Sequence, residues 1–259
     1  MTFWRIASVS VLRAIEWNLN HGQRNLRLFE IGRGYELRNG EPAETPILTL
    51  GATGLARQKT IYEAAREYSF ADLKGDLGRI GELAGGLAWQ AGSPGWLAGA
   101  RAAKISLAHG NGSAESIGYA GQLARRIADE FKLRQEAFVG ELRLDPLLEA
   151  VDRAKAALKF RPLPRYPAVE RDFSLILADG ITFAQVAKTI HTLQIPEVES
   201  IEAADLFRGG NIPPGKFSLM IRVIFQSAQA TLTEAQVADF SARIVSALQS
   251  KLGAVLRTS

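Results

Sequence analysis

Three prolines stand close together in a chain of 259 residues, at Pro162, Pro164 and Pro167. Proline fixes its own φ angle, lacks an N–H donor and pushes the preceding residue out of the helical region. No helix or central strand can therefore cross residues 159–170, which we expect to form an extended connector. Since domains usually hold about 100–200 residues, the connector predicts two of them, residues 1–160 and 161–259.

The sequence after the connector predicts a clear order of strands and helices. The predicted strands cover residues 171–178, 198–207, 216–226 and 254–257. Two helices fit between them, each preceded by the Thr-x-x-Gln spacing of a capping box, at Thr182 and at Thr233. Within 216–226, apolar residues alternate from Phe217 to Phe225, which is the period of a half-buried strand. The order strand, helix, strand, strand, helix, strand predicts a ferredoxin-like βαββαβ domain with one sheet face free.

The part before the connector mixes helix and strand patterns. The predicted helices cover residues 9–19, 71–83, 125–131 and 147–158. The predicted strands cover residues 26–37, 46–55, 87–90, 104–108, 116–122 and 138–144. Residues 56–68 have too weak a periodicity to assign. The later strands are joined by turns too short for parallel crossovers, so the whole chain is predicted to be α+β with antiparallel sheets rather than a Rossmann fold.

Composition excludes several classes of function. The chain has no cysteine and three histidines, which excludes a disulfide scaffold, a thiolate metal site and a cysteine nucleophile. No apolar run approaches the roughly 20 residues of a membrane-spanning helix. We therefore expect no membrane association, and the absence of thiols fits a reducing compartment such as the cytoplasm. No nucleophile, base and orienting group can be named together, and we predict neither catalytic residues nor a metal site in this chain.

Two sequence features could be mistaken for catalytic sites. Residues 210–217 almost match the phosphate-loop pattern, but Phe217 stands where a hydroxyl must reach magnesium. Pro213 and Pro214 also remove two N–H donors, so a hairpin turn is favoured over a nucleotide hydrolase. Asp72 and Asp76 lie one helical turn apart, and a solvated helix flank is favoured over a carboxylate pair.

The low net charge favours nucleic-acid binding through a few individual side chains over binding through a broad basic surface. The net charge is +4, and residues 160–259 carry ten basic and nine acidic side chains. Basic side chains near strand ends, with an aromatic side chain among them, are suited to single-stranded RNA. Its bases stack on the aromatic ring and its phosphates pair with the basic side chains. The alternative is ordinary solubilising charge. The predicted RNA contacts are Tyr166, Arg171, Arg208, Lys216 and Arg222.

Long ordered motifs identify a resemblance. Residues 166–172, 205–216, 218–226 and 231–235 resemble the ferredoxin-fold anticodon-binding domain that closes the bacterial phenylalanyl-tRNA synthetase beta subunit. Residues 17–20, 26–33, 70–77, 117–123 and 141–145 resemble the class II aminoacyl-tRNA synthetase-like core of the same subunit. Two segments depart from the family pattern. The turn at His109 lacks the usual proline and arginine, and the segment from Glu141 lacks the glycine-rich third motif of catalytic cores.

The resemblance implies a function for each part. Residues 1–160 would form a non-catalytic core that packs against the catalytic alpha subunit. Residues 161–259 would bind the anticodon stem-loop of tRNA for phenylalanine. No cofactor is expected in this chain, whereas the whole cytoplasmic enzyme, a heterotetramer of two alpha and two beta subunits, would use ATP and Mg²⁺. The chain would be the C-terminal portion of a longer subunit, with Met1 not necessarily the natural start. A freestanding ferredoxin-like RNA-binding or assembly module is the alternative.

Overall fold

The computed structural model describes residues 6–38, 41–108, 114–158 and 163–257. The chain divides into two compact units, Met1–Lys159 and Phe160–Ser259, which we describe one at a time. Of the proline connector, residues 159–162 lie outside the described residues, and residues 163–168 form neither helix nor strand. The described residues contain no helix both long enough and apolar enough to cross a membrane.

The first unit is built on a six-stranded antiparallel sheet with the order β1-β2-β8-β7-β6-β5. Its strands are β1 (Leu26–Arg38), β2 (Glu41–Thr53), β5 (Ala88–Ala91), β6 (Leu97–Ala108), β7 (Ala114–Leu123) and β8 (Ala137–Arg143). Its helices are α1 (Ile6–Asn20), α2 (Phe70–Glu82), α3 (Arg125–Glu130) and α4 (Leu144–Ala157). The prediction of antiparallel pairing is confirmed.

Helices cover both faces of this sheet, so the unit has two apolar cores. Val139 of β8 packs with α1 and α3, in a cluster that includes Ile15 and Ile127. Its neighbour Phe138 packs with α2 in the other cluster, against Leu73 and Leu77. Because successive side chains of a strand point to opposite faces, β8 is buried on both sides.

Two segments of the first unit differ from the sequence prediction. The unassigned region contains a short antiparallel pair, β3 (Leu55–Arg57) with β4 (Arg66–Glu67). Strand β6 begins seven residues earlier than predicted, at Leu97 instead of residue 104. Residues 97–103 are mostly alanine and glycine, which have low strand propensity, so pairing with the neighbouring strands β7 and β5 brings them into the sheet.

The second unit confirms the ferredoxin-like prediction. Strands β9 (Val169–Ala178), β10 (Val198–Phe207), β11 (Lys216–Phe225) and β12 (Val255–Leu256) form an antiparallel sheet in the order β10-β11-β9-β12. Helices α5 (Phe183–His191) and α6 (Glu234–Leu252) complete the predicted order of elements. Strand β12 has two residues rather than the four expected.

The helices pack on one face of this sheet. The predicted alternating row of β11, Phe217, Leu219, Ile221, Val223 and Phe225, is buried beneath them. Both predicted capping boxes are present, with the Thr182 and Thr233 hydroxyls accepting from the N–H of Gln185 and Gln236 at 3.3 Å. Helix α6 ends at Gly253, whose φ of 61° is readily adopted only by glycine.

Candidate nucleic-acid interface

The face of the second sheet opposite the helices carries side chains in transverse rows, and we call it the open face. Register alignment sets Phe207, Ser218, Ile176 and Val255 side by side across all four strands. Phe207 is 48% exposed and Val255 is 50% exposed, while Ser218 between the larger side chains is buried. This apolar row lies near the end of the sheet where the β10–β11 hairpin turns.

The other end of the open face is acidic. Register alignment sets Glu202, Arg222 and Asp172 side by side, with Glu170 next along β9. The Arg222 guanidinium donates from Nε to Asp172 Oδ1 at 2.8 Å and from Nη2 to Oδ2 at 2.9 Å. Glu170 lies 3.5 Å from Nε. Hydrogen bonding to Arg222 lowers the pKa of Asp172, and the same bonds raise the pKa of Arg222. Arg222 is therefore already neutralised by its neighbours.

Two cations border the apolar row with their charges unmatched. Lys216 is exposed and lies opposite Ala178, at the hairpin end of the row. Arg257 is exposed, and its N–H donates to the Ser174 carbonyl at 2.8 Å, two residues beyond Val255. Within the described residues, neither side chain forms an ion pair. A half-exposed aromatic ring on the same face as unpaired cations can stack a base while the cations contact its phosphates.

The five sequence-predicted residues fall into two groups. Arg208 and Lys216 lie at the hairpin end, while Tyr166, Arg171 and Arg222 lie at the other end. Arg222 lies six positions after Lys216 on β11, which at a rise of 3.3–3.4 Å per residue is about 20 Å. The structure therefore does not gather the five into one site.

Four of the five have partners within the domain, Arg222 with Asp172 being the one already described. Arg171 lies on the helix side of β9, where its Nη2 donates to both carboxylate oxygens of Glu234 at 2.7 Å. Arg208 pairs with Asp179 and lies over the Phe217 ring, 4.8 Å from its centroid. The Tyr166 carbonyl accepts from Gln226 Nε2 at 2.9 Å, and its ring is half-buried.

Phe207 and Arg257 were missed by sequence reasoning. A register shift between Ala203 and Asp205 changes which face the last residues of β10 occupy, and alternation alone cannot locate such a bulge. Gly210 of the hairpin lies close to the ring, since a Cβ placed on it would be 3.5 Å from two Phe207 ring atoms. Arg257 lies beyond a two-residue strand whose pairing depends on tertiary contacts.

The apparent phosphate loop is a hairpin connection. It joins antiparallel β10 and β11, as expected for a turn and not for a strand-to-helix phosphate loop. The N–H groups of Ile212 and Lys216 donate within the turn, to the Gly209 and Pro213 carbonyls at 3.1 and 3.2 Å. Those two N–H groups are therefore not available to cradle a phosphate.

The carboxylates of α2 have structural partners. Asp72 accepts two hydrogen bonds from Arg66, at 2.6 and 2.8 Å, which lower the pKa of the carboxyl. Asp76 accepts from the Tyr68 hydroxyl at 2.7 Å. Burial, with Asp76 nearby, raises the pKa of Tyr68. In the part of the chain that the structure describes, no group of three or more His, Cys, Asp or Glu side chains could hold a metal ion. His109 lies outside the described residues.

Comparison with known proteins gives matches over both units. Residues 7–144 match the family described as "Phenylalanyl tRNA synthetase beta chain CLM domain". Residues 164–257 match the "Ferredoxin-fold anticodon binding domain". Similar relatives are phenylalanine–tRNA ligase beta subunits of Carboxydothermus hydrogenoformans, 32% identical over 93% of this chain, and of Geobacillus kaustophilus, 30% identical over 95%. The chain spans 30% of the length of each of these relatives.

Proposed function

Because this chain belongs to the phenylalanyl-tRNA synthetase beta-chain family, we propose that it is a portion of a phenylalanine–tRNA ligase beta subunit. Its second unit binds the anticodon stem-loop of tRNA for phenylalanine. Its first unit supports assembly with the catalytic alpha subunit. The family match of residues 164–257 to an anticodon-binding domain is the observation that carries the RNA-binding role.

We assign the RNA contact to the hairpin end of the open face. Phe207 offers a half-exposed ring on β10, Lys216 on the neighbouring β11 offers unmatched positive charge beside it, and Arg257 offers more at the opposite edge of the sheet. An unpaired base stacks on the ring while the flanking phosphates pair with the cations. The domain binds RNA through a small number of side chains at fixed positions. A large excess of positive charge is therefore not needed, in agreement with the near balance of charge in residues 160–259.

The remaining predicted contacts take different roles in this proposal. Arg208 lies at the hairpin over the Phe217 ring, and its pair with Asp179 leaves Lys216 as the unmatched cation there. Arg171 and Arg222 hold the other end of the domain together, since each also pairs with a carboxylate of the same unit. Tyr166 lies at the far end with them and contacts RNA only where the stem extends across the sheet.

The first unit takes a structural role. Its six-stranded antiparallel sheet with helices on both faces supports a class II synthetase-like core without catalytic residues of its own. ATP and Mg²⁺ would serve the whole cytoplasmic enzyme through the alpha subunit, in an assembly of two alpha and two beta subunits. Family matches in both units disfavour a freestanding RNA-binding or assembly module.

A charge-removal experiment tests the RNA contact. In the full chain, the double variant Arg208→Ala and Lys216→Ala should bind an anticodon stem-loop RNA more weakly. Its log–log salt slope should be smaller by about 0.7–0.9 for each lost phosphate contact. Lys188→Ala, which removes an exposed cation from α5, is the matched control. If the double variant and the control give the same affinity and slope, the hairpin end is not the RNA site.

Co-expression tests the assembly role separately. The chain and a catalytic phenylalanyl-tRNA synthetase alpha subunit should purify together as a stable complex. The RNA variant above should still form this complex, because its changes lie in the second unit. Failure of the unaltered chain to associate would favour the freestanding module.

A further inference from the structure

A cavity of about 750 Å³ opens at one end of the sheet in the first unit. It lies where β1 and β8 begin and β2 and β7 end, and its wall includes Leu55, Leu123 and Ala137. Its volume falls within the roughly 300–1,000 Å³ of small-molecule sites. The proposed assembly and RNA-binding roles make no use of it.

Three arginines from separate segments line this cavity: Arg24 before β1, Arg125 at the start of α3 and Arg134 before β8. The segments of Arg24 and Arg134 are tied together by Gln135, whose Nε2 donates to the Arg24 carbonyl at 2.7 Å and to Thr53 Oγ1 at 2.9 Å. Arg24 and Arg134 therefore project from a framework that is itself hydrogen-bonded.

Two of these arginines have no carboxylate partner. Arg125 pairs with Asp129 at 2.9 Å. Arg24 and Arg134 are exposed and, in the described ranges, form no ion pair. An arginine that is not engaged by the protein presents its full set of donors to a ligand.

The lining also contains two carboxylates, Glu67 and Glu136. Glu136 is engaged by Arg101, whose Nη1 lies 3.3 and 3.4 Å from its oxygens. Glu67 is exposed on β4. When the paired Arg125 and Glu136 are both set aside, two arginines and one carboxylate remain, so the lining keeps a net positive charge that attracts anions.

We propose that this cavity binds a phosphate-bearing ligand of mononucleotide size. The planar guanidinium donates two parallel hydrogen bonds to a phosphate, so Arg24 and Arg134 would share the charged group between them. The apolar wall would contact the remainder of the ligand. The phosphate can belong to a free nucleotide or to a nucleotide of a bound RNA.

Ligand-detected NMR titration of the full chain tests this assignment. The probes are AMP, adenosine without the phosphate, and a short adenosine tetranucleotide. Arg24→Ala and Arg134→Ala should each weaken AMP binding at least ten-fold, because each removes a charged hydrogen-bonding group. Arg126→Ala is the matched control, since Arg126 is exposed next to Arg125, pairs with Glu130 at 2.8 Å and does not line the cavity. Thermal unfolding of each variant shows that the fold is retained.

The outcomes separate cleanly. AMP binding that is weakened at least ten-fold in both variants, kept in the control and stronger than adenosine binding supports the site. Tighter binding of the tetranucleotide than of AMP would assign the phosphate to RNA, and the reverse order would assign it to a free nucleotide. Equal binding of AMP and adenosine, unchanged binding in both variants, or AMP and tetranucleotide affinities both weaker than roughly 1 mM would overturn it. Loss of anticodon stem-loop binding in the hairpin variants leaves this result unaffected, because those residues lie in the other unit.

Discussion

Replacement of Phe207 by alanine removes the proposed base-stacking group. The ring is 48% exposed, so its loss costs the fold about half of the roughly 1.5–3 kcal/mol that full burial of a phenylalanine contributes. The domain should therefore stay folded. Stacking of a base on an aromatic side chain contributes about 1–3 kcal/mol, so Kd for the RNA should rise about 5- to 150-fold.

Leu206→Ala is the matched control for this change. Leu206 is the preceding residue of β10, is 55% exposed and pairs with Leu219 of the buried row, away from the open face. Fluorescence anisotropy with a labelled anticodon stem-loop measures both variants, and chemical unfolding corrects for any loss of folded protein. Equal affinities of the Phe207 and Leu206 variants would refute the stacking role.

Three further changes test other parts of the structure. Arg222→Ala should change RNA affinity less than about two-fold, because Arg222 pairs with Asp172 and lies about 20 Å along β11 from Lys216, beyond the Debye length of about 8 Å. A ten-fold loss of affinity by anisotropy would restore it as a contact. Asp72→Asn should cost about 1–2 kcal/mol in urea unfolding at pH 7 through the loss of its bonds to Arg66. Those bonds lower the pKa of Asp72, so the stability they contribute is complete above the unfolded pKa of about 3.9 and is lost as pH falls further. The free energies of unfolding of wild type and variant should therefore converge in acid. A difference between them that stays constant with pH would contradict the assignment. Thr233→Ala should cost about 1 kcal/mol by removing the cap of α6, and an unchanged midpoint of thermal unfolding would show that the cap contributes nothing.

The fold of the second unit could be predicted from the sequence because the patterns that determine it are local. The alternation from Phe217 to Phe225 has only one register that buries the apolar row. The capping boxes at Thr182 and Thr233 mark where helices begin without reference to distant residues. Such signals fixed the order of elements and hence the ferredoxin-like topology.

Which residues form the proposed RNA site was harder to predict from the sequence, because this depends on contacts between residues that are distant in the chain. Whether Arg171 is free or paired is decided by Glu234, which is 63 positions away. The face occupied by Phe207 is decided by a bulge that leaves no signal in the alternation. The cavity arginines Arg24 and Arg134 come from segments 110 positions apart, which only the folded sheet brings together.

Photo-cross-linking most directly tests whether this chain contacts tRNA through the hairpin end of its open face. A stem-loop with photoreactive bases in the anticodon is irradiated in complex with the full chain, and the adducts are mapped by mass spectrometry. The proposed function predicts adducts on peptides that contain Phe207, Lys216 or Arg257. Adducts confined to residues 6–158, or to the helices α5 and α6, would contradict it.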